Sequence, residues 1–540
     1  MARHNEPVEG ARPSGPGRPL SRRAVLHAGG VSALGLLIAA CGSTVDASAP
    51  LRDSQPSGPP RRGGELTFAT SMDIATLDPA FSQNVSERFA YYAMFNTLVG
   101  YDQNFNIVPE LAERWDLSDD GKALTLHLRR GVKFHDGTPF DADAVKWNLD
   151  RLLDKKTNSP LRGQLTPPLN EVRVDGDATV TLVLATAWRP LLAALGERPG
   201  FMMSPTAARK YGKDIGVHPV GTGPFEFVSF TQDSQLRMRR FRDYWDPDSV
   251  HLDAITITNT PEQQVQLTML RTGEAQLCDE INPQLGTTLQ DDPTVALAHA
   301  ATGNWYAVQM DCDKPPFDKP ELRRAIAYAT NREGVQNAIY AKRARVATGP
   351  IGIGWAYPEQ GPPPAYPYDL KKARALVKQA GAEGLRVDYI NSSDSDYQAV
   401  AQLLQGDYAK IGLRVKVGTV PGSDYYNQVI ADKIGWSLTE WTPRADPDGL
   451  LRLLFHSKGG QNSTGYRNPE VDKLLDQAAG IEDTKAAAPI YQRIQRIVER
   501  DAPYVFVVWP DALVPHSKKL GGVRLYPDAV YRLRDMWIAE

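Results

Sequence analysis

Residues 128–152 read "LRRGVKFHDGTPFDADAVKWNLDRL" and bring His135 together with Asp136, Asp141, Asp143 and Asp150. A histidine among carboxylates is the raw material of a metal site or an acid–base dyad. The spacing favours neither. A calcium loop needs a denser series of oxygen ligands closed by an acidic residue. The nine histidines are scattered, and His127 and His135 straddle a turn without zinc spacing. Local structure accounts for the stretch instead. Leu124, Leu126 and Leu128 alternate with polar residues, which predicts a half-buried strand. "HDG" and "TP" then form a turn. Asp141 is placed to cap a helix, with Asp143 in its first turn and Val145, Leu149, Leu152 and Leu153 on its apolar stripe.

Other catalytic patterns are equally thin. No GxSxG elbow and no HExxH pair occurs in the mature chain. Glu110 with Glu113, and Asp446 with Asp448, have the spacing of acid–base pairs. Such pairs more often serve caps and exposed faces. The chain therefore reads as a binding protein without catalytic residues, cofactor or metal. An exported lipoprotein hydrolase is the rival class.

One cysteine carries clearer chemistry. "SRRAVLHAGGVSALGLLIAAC" places Arg22 and Arg23 before an apolar run, residues 28–40, that ends at Cys41. The run is too short for a membrane-spanning anchor and reads as a secretory h-region. The arginine pair resembles a twin-arginine export signal, and "IAAC" resembles a lipobox. Cleavage before Cys41 and thioether lipidation of its sulfur are the implied chemistry. The polar stretch that follows suits a flexible tether. The expected location is the outer face of the cytoplasmic membrane. Cys278 and Cys312 remain as either a disulfide or two separate buried thiols.

With 540 residues, 42% hydrophobic and 23% charged, the chain is too long for one core. A net charge of −3 and the lack of a basic stripe exclude nucleic acid as a partner. "GGELTFAT" opens the folded body with a strand, and "EVRVDGDATVTLVL" predicts a hairpin. "HPVGTGPFEFVSF" predicts a tight turn before a strand, not a phosphate cradle. Further on, "PPFDKPELRRAIAYATNREGVQNAIY" predicts two helices, with Asn331 capping the second. Asp369 caps a helix whose stripe is Leu370, Ala373, Leu376, Val377 and Ala380. Leu385, Val387 and Tyr389, then Val400, Leu403 and Leu404, then Leu413, Val415 and Val417 predict a βαβ unit. "YVFVVW" predicts a buried strand.

These motifs stand in a telling order: "LDP", "LRRGVKFHDGTPFDADAV", "HPVGTGPF", "YW", "PPFDKPELRRAIAYATNRE", "DPD" and "YRNPEVDKLLDQA". Together they resemble the family 5 extracellular solute-binding proteins, the peptide/nickel group serving ABC importers. The resemblance implies a mixed α/β fold of the type II periplasmic-binding-protein clamshell, with an extra domain in the first lobe. It divides the chain into a leader (1–40), a tether (41–62), lobe I (63–304), lobe II (305–503) and a return segment (504–540). It implies a monomer that captures a peptide or other small solute and delivers it to an ABC permease.

Candidate ligand contacts follow from the same resemblance. In "SLTEWTPRADPDGLLRLLF", Trp441 would be an aromatic wall, and Asp446 would be either a ligand contact or, with Asp448, a turn former. Peptide-binding members carry an aspartate just after this turn, which pairs with the ligand's α-amino group. Here Pro443 and Arg444 stand there instead, and the Arg444 fork suits a carboxylate unless it pairs with Asp446 or Asp448. That departure opens the alternative of an anionic solute such as an opine or sugar derivative. "TGNWYAVQMD" adds Asn304 and Trp305, although alternation alone does not tell which face is inward. Asn84 and the loop 73–77 are further candidates. No convergent His/Met set points to nickel.

Overall fold

The computed structural model describes residues 55–71, 74–82, 84–165, 169–358 and 361–540. The leader, Cys41, most of the tether and Asp73 lie outside the described residues. Among the described residues no helix is long and apolar enough to cross a membrane.

The strand Tyr504–Ser517 organises the molecule. Its first half pairs antiparallel with Trp305–Met310, from Tyr306 opposite Val508 to Gln309 opposite Tyr504. Its second half pairs antiparallel with Val295–Ala301, from Ala301 opposite Asp511 to Val295 opposite Ser517. One strand thus joins two sheet regions. On the first-lobe side the order continues through Leu277–Cys278, Glu65–Thr70, Ala254–Asn259, Gln235–Arg240 and Phe225–Thr231. On the second-lobe side it continues through Trp305–Met310 to Trp436–Trp441. The chain crosses between them near Thr302, whose hydroxyl donates to the Pro510 carbonyl at 2.8 Å. The strand runs eight residues beyond the predicted "YVFVVW", because Pro510 and Asp511 interrupt the apolar run without ending the ladder.

A four-stranded antiparallel sheet, Ala112–Leu117, Ala123–Leu128, Thr179–Leu184 and Leu169–Val174, forms a separate layer in the first lobe. Helix Ala142–Leu153 covers it, burying Val145, Leu149 and Leu152 while Asp141 Oδ1 accepts the Ala144 N–H. The predicted hairpin is present, as is the βαβ unit. Strand Arg386–Ser392 lies parallel to Arg414–Val420, with helix Ser395–Lys410 between them in sequence. Asn331 and Asp369 both cap their helices through their side chains. Cys278 and Cys312 are two free thiols, bonded to the Gln266 and Met310 carbonyls.

His135 joins two of the motifs. Its backbone N–H donates to the Gly221 carbonyl, and its ring contacts the Gly223 carbonyl at 2.9 Å and the Gly221 N–H at 3.3 Å. The Gly223 N–H in turn donates to the Met94 carbonyl at 2.9 Å. Glycine is required because a Cβ at Gly221 would sit 2.2 Å from that same oxygen. The histidine therefore clamps a turn and is not part of a catalytic pair. Burial pushes its pKa down to about 4, and the unfolded chain binds the proton first, near 6.5. The stability this neutral ring contributes is complete above pH 6.5 and declines as pH falls toward 4. Urea unfolding should show the stability gap between wild type and His135→Gln shrinking from pH 7 to pH 5.

Candidate functional site

Two neighbouring strands carry Trp305 and Trp441, with Asn304 just before the first strand and Arg444 just after the second. Across the ladder, Trp305 faces Trp441 and Tyr306 faces Glu440. Trp305 is fully buried, edge-on to Tyr504 and Phe506 at 5.6 and 5.1 Å. Trp441 is half-buried against the same cluster. Neither indole N–H has a hydrogen-bond partner among the described residues. Tyr306 belongs to a different core cluster from Trp305, as strand alternation requires.

Glu440 sits in a ring of polar and aromatic groups. Asn304 Nδ2 donates to its Oε1 at 3.3 Å, and the Tyr306 hydroxyl also bonds to it. Tyr306 packs edge-on to Tyr397 at 5.4 Å and against Tyr340 at 6.1 Å. Tyr397 and Tyr426 share a hydroxyl–hydroxyl bond. Burial pushes the Glu440 pKa up to about 7. Asp396 and Asp394 add to the rise, while the bonds from Tyr306 and Asn304 oppose it. From the first lobe comes Glu280, just beyond strand Leu277–Cys278. Burial raises it well above the ordinary carboxylate range, with Glu440 and Asp279 as further causes. Asn282 of the first lobe donates to Asp396 of the second at 2.6 Å.

Beyond Trp441 the charge changes sign. Arg444 Nη1 donates to Thr442 Oγ1 at 2.8 Å, and its Nε lies 3.5 Å from Glu197 of the first lobe. The partners considered from the sequence are taken elsewhere, Asp446 by Arg189 and Asp448 by Arg452, each at 2.8 Å. Arg198, next to Glu197, donates to the Asn84 carbonyl at 3.1 Å and to Ser82 Oγ at 3.0 Å. Its burial, beside Arg88 and Arg444, lowers its pKa to about 9. Asn84 itself is exposed at the start of helix Val85–Met94.

Asp446 is tied to a segment distant in the chain. Arg189 pairs with it, donates to the Ile481 carbonyl at 3.1 Å and lies over the Trp355 ring at 4.7 Å. Asp446 Oδ1 also accepts the Asp448 N–H, which starts helix Asp448–Phe455. Burial pushes Asp446 up to about 6 despite Arg189.

Sequence reasoning missed Glu440, Glu280, the four tyrosines, Glu197 and Arg189. Glu440 had a signal, the one charged residue of the strand Trp436–Trp441, directly before Trp441. The others come from distant segments with no shared pattern.

The comparisons with known proteins agree with one another. The model for bacterial extracellular solute-binding proteins, family 5, middle region, matches residues 106–462. The glutathione-binding protein GsiB of Shigella flexneri is 31% identical over 483 residues, 87% of this chain and 94% of that protein. The periplasmic binding protein DppA of Helicobacter pylori, solved with the peptide STSA, superposes with a TM-score of 0.83. It is 28% identical, and the match covers 89% of this chain and 99% of that one. The binding protein AgaA of A. tumefaciens, solved with agropinic acid, gives a TM-score of 0.81. It is 25% identical, with 88% and 99% covered.

Proposed function

The chain belongs to the bacterial extracellular solute-binding proteins of family 5, and on that premise we propose a lipid-anchored receptor that closes its two lobes around a small peptide-class solute. Membership makes it an extracytoplasmic solute-binding protein of an ABC importer, not an enzyme. The finer reading concerns anchor and ligand.

The observation that carries the ligand reading is the sign change along one turn, from Glu440 through Trp441 to Arg444. Glu280 is an electrostatic neighbour of Glu440, and Arg198 of Arg444, with Glu197 beside both arginines, which would give the cleft an acidic and a basic pole. A short zwitterion such as a peptide complements both poles. Asn304 and Trp441 would line this cleft. Trp305 would support Trp441 from within the core, and Asp446 would hold the closed state through Arg189. The relatives solved with STSA or named for glutathione support this class. An opine-like anionic solute is the second reading, favoured by Arg444 and by the likeness to AgaA with agropinic acid. Heating the native protein and identifying what it releases by mass spectrometry separates the two. A peptide supports the first reading, and a solute without a peptide bond overturns it.

Closure would present both lobes to the permease, and release there would return the receptor to its open form. The anchor reading rests on Arg22, Arg23 and the run ending at Cys41. Cys41→Ser should move the protein from the membrane fraction to the soluble fraction. Unchanged membrane association would contradict the lipid anchor.

A further inference from the structure

We propose that Glu440, Glu280 and the tyrosines around them form a subsite for an organic cation, an ammonium or guanidinium group of the captured solute. This rests on the solute-binding reading and specifies which end of the solute the acidic pole takes.

Four buried carboxylates are electrostatic neighbours in pairs, Asp279 with Glu280, Glu280 with Glu440 and Glu440 with Asp396; Asp279 accepts from Thr70 and Ser71, and Asp396 from Asn282. All four are shifted upward, burial being the largest cause for each. None is ion-paired with a described lysine, arginine or histidine. The electrostatic neighbours that raise Glu280 are Glu440 and Asp279, and no cation offsets them. Buried like charges without a counter-charge are costly, so such a cluster is suited to a cation arriving from outside.

Two nearby polar atoms independently mark a place for a ligand. Tyr340 is 3% exposed, its electrostatic neighbours are Asp396 and Glu440, and its hydroxyl has no hydrogen-bond partner. Asn304 is 5% exposed, and its amide end lies against Glu440. Its Oδ1, an acceptor, has no partner either. Buried polar atoms are rarely left unbonded, and an N–H-rich cation would satisfy Asn304 Oδ1 and the carboxylates together. The rings of Tyr306, Tyr340, Tyr397 and Tyr426 add π-faces of the kind that attract cations. A metal ion is the less suitable occupant. Among the described residues no group of three His, Cys, Asp or Glu side chains is arranged to hold one.

Glu280 follows strand Leu277–Cys278 and Glu440 lies on strand Trp436–Trp441, on opposite sides of the long strand, so a cation bound between them would bridge the two sheet regions. The subsite differs from the aspartate after the tryptophan turn, whose place Pro443 and Arg444 occupy here.

The test uses the ligand-stripped mature protein and two probes. One is an equimolar mixture of tripeptides lacking lysine and arginine, with free amino termini. The other is the same mixture after N-acetylation. Retained peptides are read by mass spectrometry and affinities by calorimetry. The expected result is retention of the free-amine peptides, with acetylated ones weaker by roughly 30-fold or more. Glu440→Gln, close in shape, should abolish this discrimination while the unliganded protein melts no lower than wild type. Equal retention of both mixtures would overturn the subsite and leave the solute-binding reading standing. So would discrimination that survives in Glu440→Gln, or a variant that loses binding only because its fold is weakened. Retention of neither mixture would overturn the peptide-class reading and the subsite together.

Discussion

Arg444→Ala is expected to weaken binding of the solute released from the native protein by tens-fold to a few thousand-fold. This corresponds to roughly 2–5 kcal/mol for removing one member of a desolvated charge pair. The structure explains why the loss should be large. The Arg444 side chain is only 15% exposed, and its Nε faces Glu197 across the lobe junction at 3.5 Å. Its Nη1 is bonded to Thr442 and Pro443, whereas its Nη2 makes no hydrogen bond to a described residue. That free edge of the fork suits a carboxylate oxygen. Arg444→Lys should rescue poorly, since a point charge cannot hold Thr442, Glu197 and a ligand carboxylate at once. If Arg444 serves only Glu197, calorimetry would show near-normal affinity while the unliganded protein loses stability.

Asp528→Asn should be the most damaging single change to the fold, at about 3–5 kcal/mol. Asp528 is fully buried and accepts from Arg88 at 3.0 Å, from the Val530 N–H at 3.2 Å, and lies 3.5 Å from Arg532. Burial alone would raise its pKa, yet the Arg532 and Arg88 guanidiniums hold it below the ordinary value. Arg88 is itself fully buried, and Arg532 is stacked 3.6 Å over Tyr92. Neutralising Asp528 leaves these cations uncompensated beside Arg198. Denaturant melts should show the midpoint falling sharply with an unchanged slope. A loss under 1 kcal/mol would mean that water or rearrangement takes over the role of the carboxylate.

The periodic elements were legible in the sequence because local physics dictates them. The strand of Leu124, Leu126 and Leu128, the helix capped by Asp141 and the βαβ unit each carry their pattern in one short window. The long strand was legible only to Trp509, where Pro510 breaks the hydrophobic run. For the candidate site, Trp441 and Arg444 were visible as residue types, but what they and Asn304 meet, Glu440 against Asn304 and Glu197 against Arg444, is set by tertiary pairing that no local pattern announces. Trp305 shows the limit most directly. Alternation gave two faces without a direction, and the structure buries both, Trp305 against Tyr504 and Phe506 and Tyr306 against Tyr340 and Tyr397.

The central claim is that one solute binds between two lobes and draws them together. Small-angle X-ray scattering of the ligand-stripped mature protein, with and without saturating solute released from the native protein, tests it most directly. The expected result is a smaller radius of gyration on binding, accompanied by a rise in melting temperature with solute concentration. Saturable binding confirmed by calorimetry with no change in the radius of gyration would contradict closure as the mechanism.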